Sequence, residues 1–436
     1  VKHLLLSSLV ACGSLALGVQ ASVCASGAAS EGRAQAEQPE SKAAPATAPA
    51  VGSTDSKAAL PDAPLDAKRR ALIDLAFGAA TRVPTLPHAR TRTKLQDAVV
   101  EQCFALGQWQ AGLDYCASID DWRRGVLLLT YAEACLEHDQ PAQANAIMEQ
   151  VRGLAKSLAD SGAQSWQVAK IQGRLGALQV RQGLTVDVDA GLLQAEKAEA
   201  VGMRRAYAAQ VSQAEFEGLI VPLEAAHKDA DFEDMLAIFA VCQELYQRFY
   251  GQPELRARVD KLLHDSWVRM PFNLRVEQLL GFAEIALDQG DGETALRHLD
   301  EADEILAETL LDMRIAFPLI GRLAADLHRV GQGERGQQWI TKALAKYDAE
   351  NPLLSQVFRA ECLRPLAEAQ VHMGRMEEAQ LLYWRTVEVG AENINARPRV
   401  EDLVATCLSI VRTGFEAEDK LVSRLSEIAA GLEDPW

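Results

Sequence analysis

One helical hairpin is written three times between Phe272 and Val389, and that repetition constrains the chain more than any other feature. Turn glycines fall at Gly290, Gly331 and Gly374, a period of 41 and then 43 residues. Eight residues before each turn stands a large apolar side chain, Phe282, Leu323 or Leu366, followed directly by Ala283, Ala324 or Ala367. Past the turn, Ala295, Gly336 and Ala379 come at five residues, Leu299, Ile340 and Tyr383 at nine, and Ala302, Ala343 and Thr386 at twelve. Small residues let two helices approach closely while large ones fill the space between them. A period of this length marks an array in which each unit buries its face against the next.

The segment LGFAEIALDQGDGETALRHLDEA, with its large-small pair, turn glycine and spaced alanines, resembles a tetratricopeptide (TPR) repeat. The resemblance implies an all-α, right-handed superhelical solenoid of antiparallel helix hairpins, with a concave face built mainly by the first helices. It does not specify a function. Earlier copies turn at Gly107 and Asp139, 32 residues apart, and Gly414 marks a weak final unit. From Gln164 to Pro271 the code blurs, with turns expected at Gly183 and Ala230. Diverged hairpins and a separate all-helical insert both fit that stretch. The periodicity of EDMLAIFAVCQELYQRFY makes it helical either way.

Residues 1–21 have the three parts of an export signal: Lys2 and His3, an apolar run, and the small-residue pattern Val19-Gln20-Ala21, with cleavage as late as residue 25 also compatible. Leu9-Val10-Ala11-Cys12 offers a rival route, a lipid on Cys12, but apolar sequence continues through Leu17 where a lipoprotein usually turns polar. Free export, to the periplasm or beyond, is the simpler expectation, and a lipid-anchored envelope protein the alternative. An Ala/Pro-rich linker over 22–65 cannot bury enough apolar surface to order itself. Asp66 then caps a lead-in helix, AKRRALIDLAFGAATR, expected to cover the first end of the array. The expected organisation is a lead-in helix and two hairpins over 66–163, diverged hairpins over 164–270, and three clear hairpins with a C-terminal cap over 271–436.

A net charge of −17 argues against nucleic acid and anionic membrane surfaces as partners. The one dense basic run is Lys68-Arg69-Arg70. HExxH, GxSxG, P-loop and dinucleotide fingerprints are missing, the eight histidines are scattered, and no cofactor or metal is implied. His227-Lys228-Asp229-Ala230-Asp231 lacks the glycine and glutamate of a calcium loop and fits a solvated turn. Cys103 and Cys116 flank one turn, so either a disulfide or two packed thiols is compatible there. The asparagines stand at turns, helix starts or second helices, which does not match TPR proteins that clamp C-terminal carboxylates.

Counting fifteen residues back from each turn gives Arg92, Arg124, Arg275, Arg359 and Arg399, in five of eight units. A cation in the first turn of a helix opposes the helix dipole, so something other than local helix stability holds it there. Either each guanidinium bridges to the preceding helix, or the five form a cationic ladder for an acidic partner. The leading expectation is a non-catalytic scaffold or adaptor that binds a protein or extended peptide. A self-associating envelope protein is the second reading, and an enzyme without a recognisable motif the third. The membrane enters as a partner only through lipidation at Cys12.

Overall fold

The computed structural model describes residues 59–183 and 197–436. The expected signal peptide, Cys12, and the linker up to residue 58 lie outside the described residues. Eighteen α-helices and two short 3-10 turns make up the described fold. In chain order the helices are α1 (Ala67–Arg82), α2 (Thr85–Ala105), α3 (Trp109–Cys116), α4 (Arg123–Glu137), α5 (Pro141–Asp160), α6 (Ser165–Arg181), α7 (Lys197–Ala208), α8 (Phe216–Ala226) and α9 (Phe232–Arg248). They continue as α10 (Pro253–Ser266), α11 (Phe272–Asp288), α12 (Gly292–Glu308), α13 (Met313–Arg329), α14 (Gly333–Glu350), α15 (Gln356–His372), α16 (Met376–Ala391), α17 (Ala396–Thr413) and α18 (Asp419–Ala430).

The repeat code reads directly as packing. Phe282, Leu323, Leu366, Leu299, Ile340 and Tyr383 are buried, as are the small residues at the spaced positions. Seven of the eight expected turn residues hold a positive φ, and Asp139 is the one non-glycine among them. A Cβ on Gly336 would stand 2.6 Å from the Ala324 carbonyl, so the second helix α14 reaches backbone contact with α13 only because that position is bare.

The middle departs from the expected frame. The turn placed at Ala230 is a helix boundary without a left-handed residue, and α9 behaves as a first helix. Its Tyr246 packs on Phe282 of α11 with ring centroids 4.5 Å apart, and the chain turns back at Phe249–Gln252 into α10. EDMLAIFAVCQELYQR thus opens a hairpin instead of closing one. Its buried Met235, Phe239 and Cys242 are larger than the alanines of the code, and the packing is correspondingly irregular.

Neither end is a cap. Helix α1 lies antiparallel to α17, in the slot a second helix normally fills, and so completes the last hairpin from the other end of the chain. Leu72, Ile73, Ala76 and Ala80 are buried in the core they share with α17, α18 and α2. Two residues of the basic run, with Arg82, are consumed in this closure, whereas Arg70 turns to Gln108 and Asp62. Lys68 Nζ donates to Ala417 O at 2.9 Å and pairs with Asp419 at 2.8 Å. Arg69 donates to Val411 O at 2.9 Å, and Arg82 donates to the carbonyls of Ala429, Ala430 and Leu432. The last carbonyls of a helix lack intrahelical partners, and cations suit that end of the dipole. Gly414 admits Arg69 both by its φ of +72° and by its missing Cβ, which would stand 2.9 Å from Arg69 Nη2.

At the far end of α17 the Ala396 amide donates to Pro435 O at 2.7 Å, and Trp436 packs against the core. The linker also ends earlier than residue 65. Leu60 is buried with its amide donating to Tyr131 Oη at 3.0 Å, and the Ala63 amide donates to Gly107 O at 2.9 Å.

Neighbour packing therefore runs in a closed circuit from α2 through the middle to α17 and back to α1 and α2. Along α2, α4, α6, α7, α9, α11, α13, α15 and α17 each helix touches the next and the last touches α2, while consecutive second helices mostly stand apart, which puts this set on the inner, concave side. With axes about 9–10 Å apart, a ring of nine such helices leaves room for a lumen about 18 Å wide.

Candidate functional site

The wall of that lumen is set by helix periodicity. Positions thirteen, six and two residues before each turn are seven and four apart and share one face, about half a turn from the buried apolar stripe. They carry Lys94, Lys170, Glu277, Glu361 and Glu401, then Glu101, Glu133, Glu284 and Glu368, then Glu137, Arg181, Asp288, Arg329, His372 and Arg412. Acid-rich and base-rich units alternate over much of the circuit, and their charges pair across unit boundaries. Arg174 and Arg181 of α6 both reach Glu133 of α4, the first at 2.8 Å. Arg322 and Arg329 of α13 meet Glu284 and Asp288 of α11, each at 2.8 Å. Arg412 of α17 pairs with Glu368 of α15.

Five wall carboxylates take no part in this pairing among the described residues: Glu101, Glu137, Glu277, Glu361 and Glu401. Glu101, Glu137, Glu277 and Glu401 are held above the ordinary carboxylate range, first by desolvation. Glu101, Glu137 and Glu401 are exposed to solvent. Neighbouring charge acts second: Arg174, two hairpins away, pulls Glu101 down, while Glu133 pushes Glu137 up. On the same helices burial lifts Asp97, Asp326 and Asp402 to about 7.

The five register arginines are not on this wall. Fifteen before the turn is seven residues before Phe282 or Leu366, two helical turns along the apolar stripe, and all five are half-buried. Arg275 Nε donates to Met270 O at 3.0 Å and Arg359 Nε to Leu354 O at 3.3 Å, in each case the carbonyl five residues back in the connection entering the helix. Arg92 donates to Val83 O at 3.2 Å. Arg275 also stacks over Phe272, and Arg359 approaches Glu392 at 3.5 Å. Arg399 lines a water-sized void with Asp402 and Thr406, and its Nε, Asp402 Oδ2 and Thr406 Oγ1 face no protein partner there. Arg124 lies in the first turn of α4 beside Cys116, whose thiol donates to the Arg124 carbonyl at 3.8 Å. Arg92, Arg275 and Arg359 thus each hold a carbonyl of the connection that enters their own helix.

Counting from the turns, the same step that exposed the arginines, also finds the wall stripe; the missing signal was which register faces inward. Cys103 and Cys116 are both buried and unpaired, and they belong to different apolar clusters, one shared with α1 and the other with α4. Burial pushes both thiols up to about 12. Among the described residues no group of three His, Cys, Asp or Glu is placed to hold a metal, and no helix is long and apolar enough to cross a membrane.

No family model matches the chain. No curated protein matches it either. A search of solved structures finds a "circular tandem repeat protein with novel repeat topology and enhanced subunit contact surfaces", at 17% identity and a TM-score of 0.25, covering 84% of this chain and 94% of that one. A likeness so low bears on neither the fold nor the function of this chain, and the closure rests on its own hydrogen bonds. Among the described residues the chain is an all-helical array of tandem hairpins.

Proposed function

We propose that the chain is a non-catalytic, TPR-like scaffold whose concave wall holds a basic segment of a protein partner. The observation that carries this reading is the set of unpaired wall carboxylates. Arginines on the wall are already neutralised by the neighbouring unit, and five unpaired carboxylates stand against the two wall lysines without an ion pair, Lys94 and Lys170, so the surplus charge left facing the lumen is negative. An extended Lys/Arg-rich segment would complement it, and a lumen about 18 Å wide admits one extended chain or one helix about 10–12 Å across. The five register arginines are assigned to stacking, where they tie each first helix to the connection before it. The leader at 1–21 supports export as the setting, and cell fractionation tests that separately.

The test is a crosslinked pull-down from native cell extract with wild type and a Glu101→Gln, Glu277→Gln, Glu401→Gln triple variant. A partner retained by wild type, weakened by salt and lost from a normally melting triple variant supports the wall as the site. A partner retained equally by both would remove the wall from the reading. Recovery of the bait alone would remove the adaptor role.

A further inference from the structure

Three connections into first helices, and the non-helical start of α2, carry a large aliphatic side chain almost wholly in solvent at one register: Leu310 at 96% exposure, Leu353 at 90%, Ile394 at 79% and Leu86 at 84%. The three leucines stand 21 residues before their turns and Ile394 stands 20 before. Single exposed aliphatics are ordinary, but a side chain repeated at one register of adjacent units forms a surface. The units are adjacent because α13, α15 and α17 pack in succession and the closure sets α2 beside α17. The four knobs therefore follow one rim of the ring in the order 310, 353, 394, 86, with about 9–10 Å between neighbouring helices.

Charge along this rim is polarised. Exposed Glu308 stands by Leu310 and Glu350 by Leu353, whereas Arg397 stands by Ile394 and Arg90 by Leu86. A two-fold axis between the 353 and 394 connections would set Leu310 and Glu308 against Leu86 and Arg90 of another copy, and Leu353 and Glu350 against Ile394 and Arg397. Asp312 with Arg314 and Glu392 with Arg359 are already paired within the chain, and the four charges left without an ion pair among the described residues, Glu308, Glu350, Arg397 and Arg90, then each meet an opposite, the condition an isologous contact imposes. A lipid surface would meet the same carboxylates unpaired. Area agrees with this assignment. Four such side chains, with half-exposed Phe272, Ile315 and Val357 beside them, offer about 450 Å² of apolar surface per copy, the apolar share of a standard interface of about 800 Å² a side.

We infer that this rim is a self-association surface, through which two copies of the chain pair face to face about a two-fold axis. The contact is independent of the wall proposed for the basic partner, and it exists only while α1 holds the ring shut. Sedimentation velocity on the full chain tests it. The expected result is a reversible dimer with a dissociation constant on the order of micromolar. Leu310→Ser with Leu353→Ser should weaken it at least about tenfold without changing the melting temperature. Glu350→Arg and Arg397→Glu should each weaken the dimer, and the two together should restore it. A monomer at all concentrations up to hundreds of micromolar would overturn the inference, as would a dimer indifferent to all these changes. So would a monomer that binds phosphatidylcholine vesicles through Leu310 and Leu353, which would give the rim to a lipid surface.

Discussion

Replacing Ile73 by alanine asks whether α1 is a structural member of the last hairpin or an attachment to it. Ile73 has no exposed surface and sits at the centre of the face α1 turns toward α17. Removing a buried isoleucine side chain to alanine costs about 2–5 kcal/mol, say about 3 for a site walled by rigid helices. If α17 and α18 depend on α1, the equilibrium for local opening of 396–430 rises with that cost, roughly 100-fold at 1.4 kcal/mol per decade. Hydrogen exchange followed by mass spectrometry reads this directly. Peptides from 67–82 and 396–430 should both exchange about 100-fold faster in the variant, while peptides from 292–308 keep wild-type rates. Acceleration confined to 67–82, with 396–430 unchanged, would refute the closure argument, because α1 would then leave without exposing the helices it completes.

Gly336→Ala forces a Cβ to within 2.6 Å of the Ala324 backbone and should lower stability by about 1–3 kcal/mol, read as a lower urea midpoint. Gly414→Ala pairs a left-handed φ with the Arg69 approach, should cost about 1–2 kcal/mol, and should accelerate exchange at both chain ends. Arg275→Ala should lower the melting temperature while partner capture survives, since its hydrogen bond goes to Met270 O. His298, buried and accepting from or donating to Tyr246 Oη at 3.1 Å, is pushed down to about 3 by desolvation. It must be neutral to stay folded, so its contribution is present above about pH 6.5 and is lost as pH falls toward 3. Asp402, raised to about 7 by desolvation, acts the other way, contributing stability below 3.8 that is lost as pH rises through 7. Comparing wild type with Asp402→Asn by urea unfolding at pH 5 and pH 8 should show the wild-type difference shrink in the variant.

Much of this molecule is legible in one dimension. The large-small code predicts which side chains are buried because each of its contacts lies within one hairpin or its neighbour, where sequence distance and spatial distance agree. Closure is not legible that way. Lys68 and Arg69 read as a local basic run, and Arg82 as the cation at a helix end, until the carbonyls of Ala417, Val411 and Ala429 are placed beside them, some 340 residues away. The frame shift at α9 was hidden for a related reason. Met235, Phe239 and Cys242 give the same helical period whether a helix opens a hairpin or closes one, and only the contact with α11 distinguishes the cases. The wall stripe was present in the sequence at Glu101, Glu133, Glu284 and Glu368, but its meaning depends on knowing the concave side.

Closure also fixes the number of hairpins. An open array can lengthen or shorten by whole repeats, because a new unit finds the same neighbour wherever it is inserted. In a ring each hairpin takes a share of one full rotation, and the shares must sum to 360°. Duplicating the unit from 313 to 350 would leave every local contact intact and still carry α1 past α17 by one helix spacing. The chain has given up the easy growth of its kind, and its length is set by geometry.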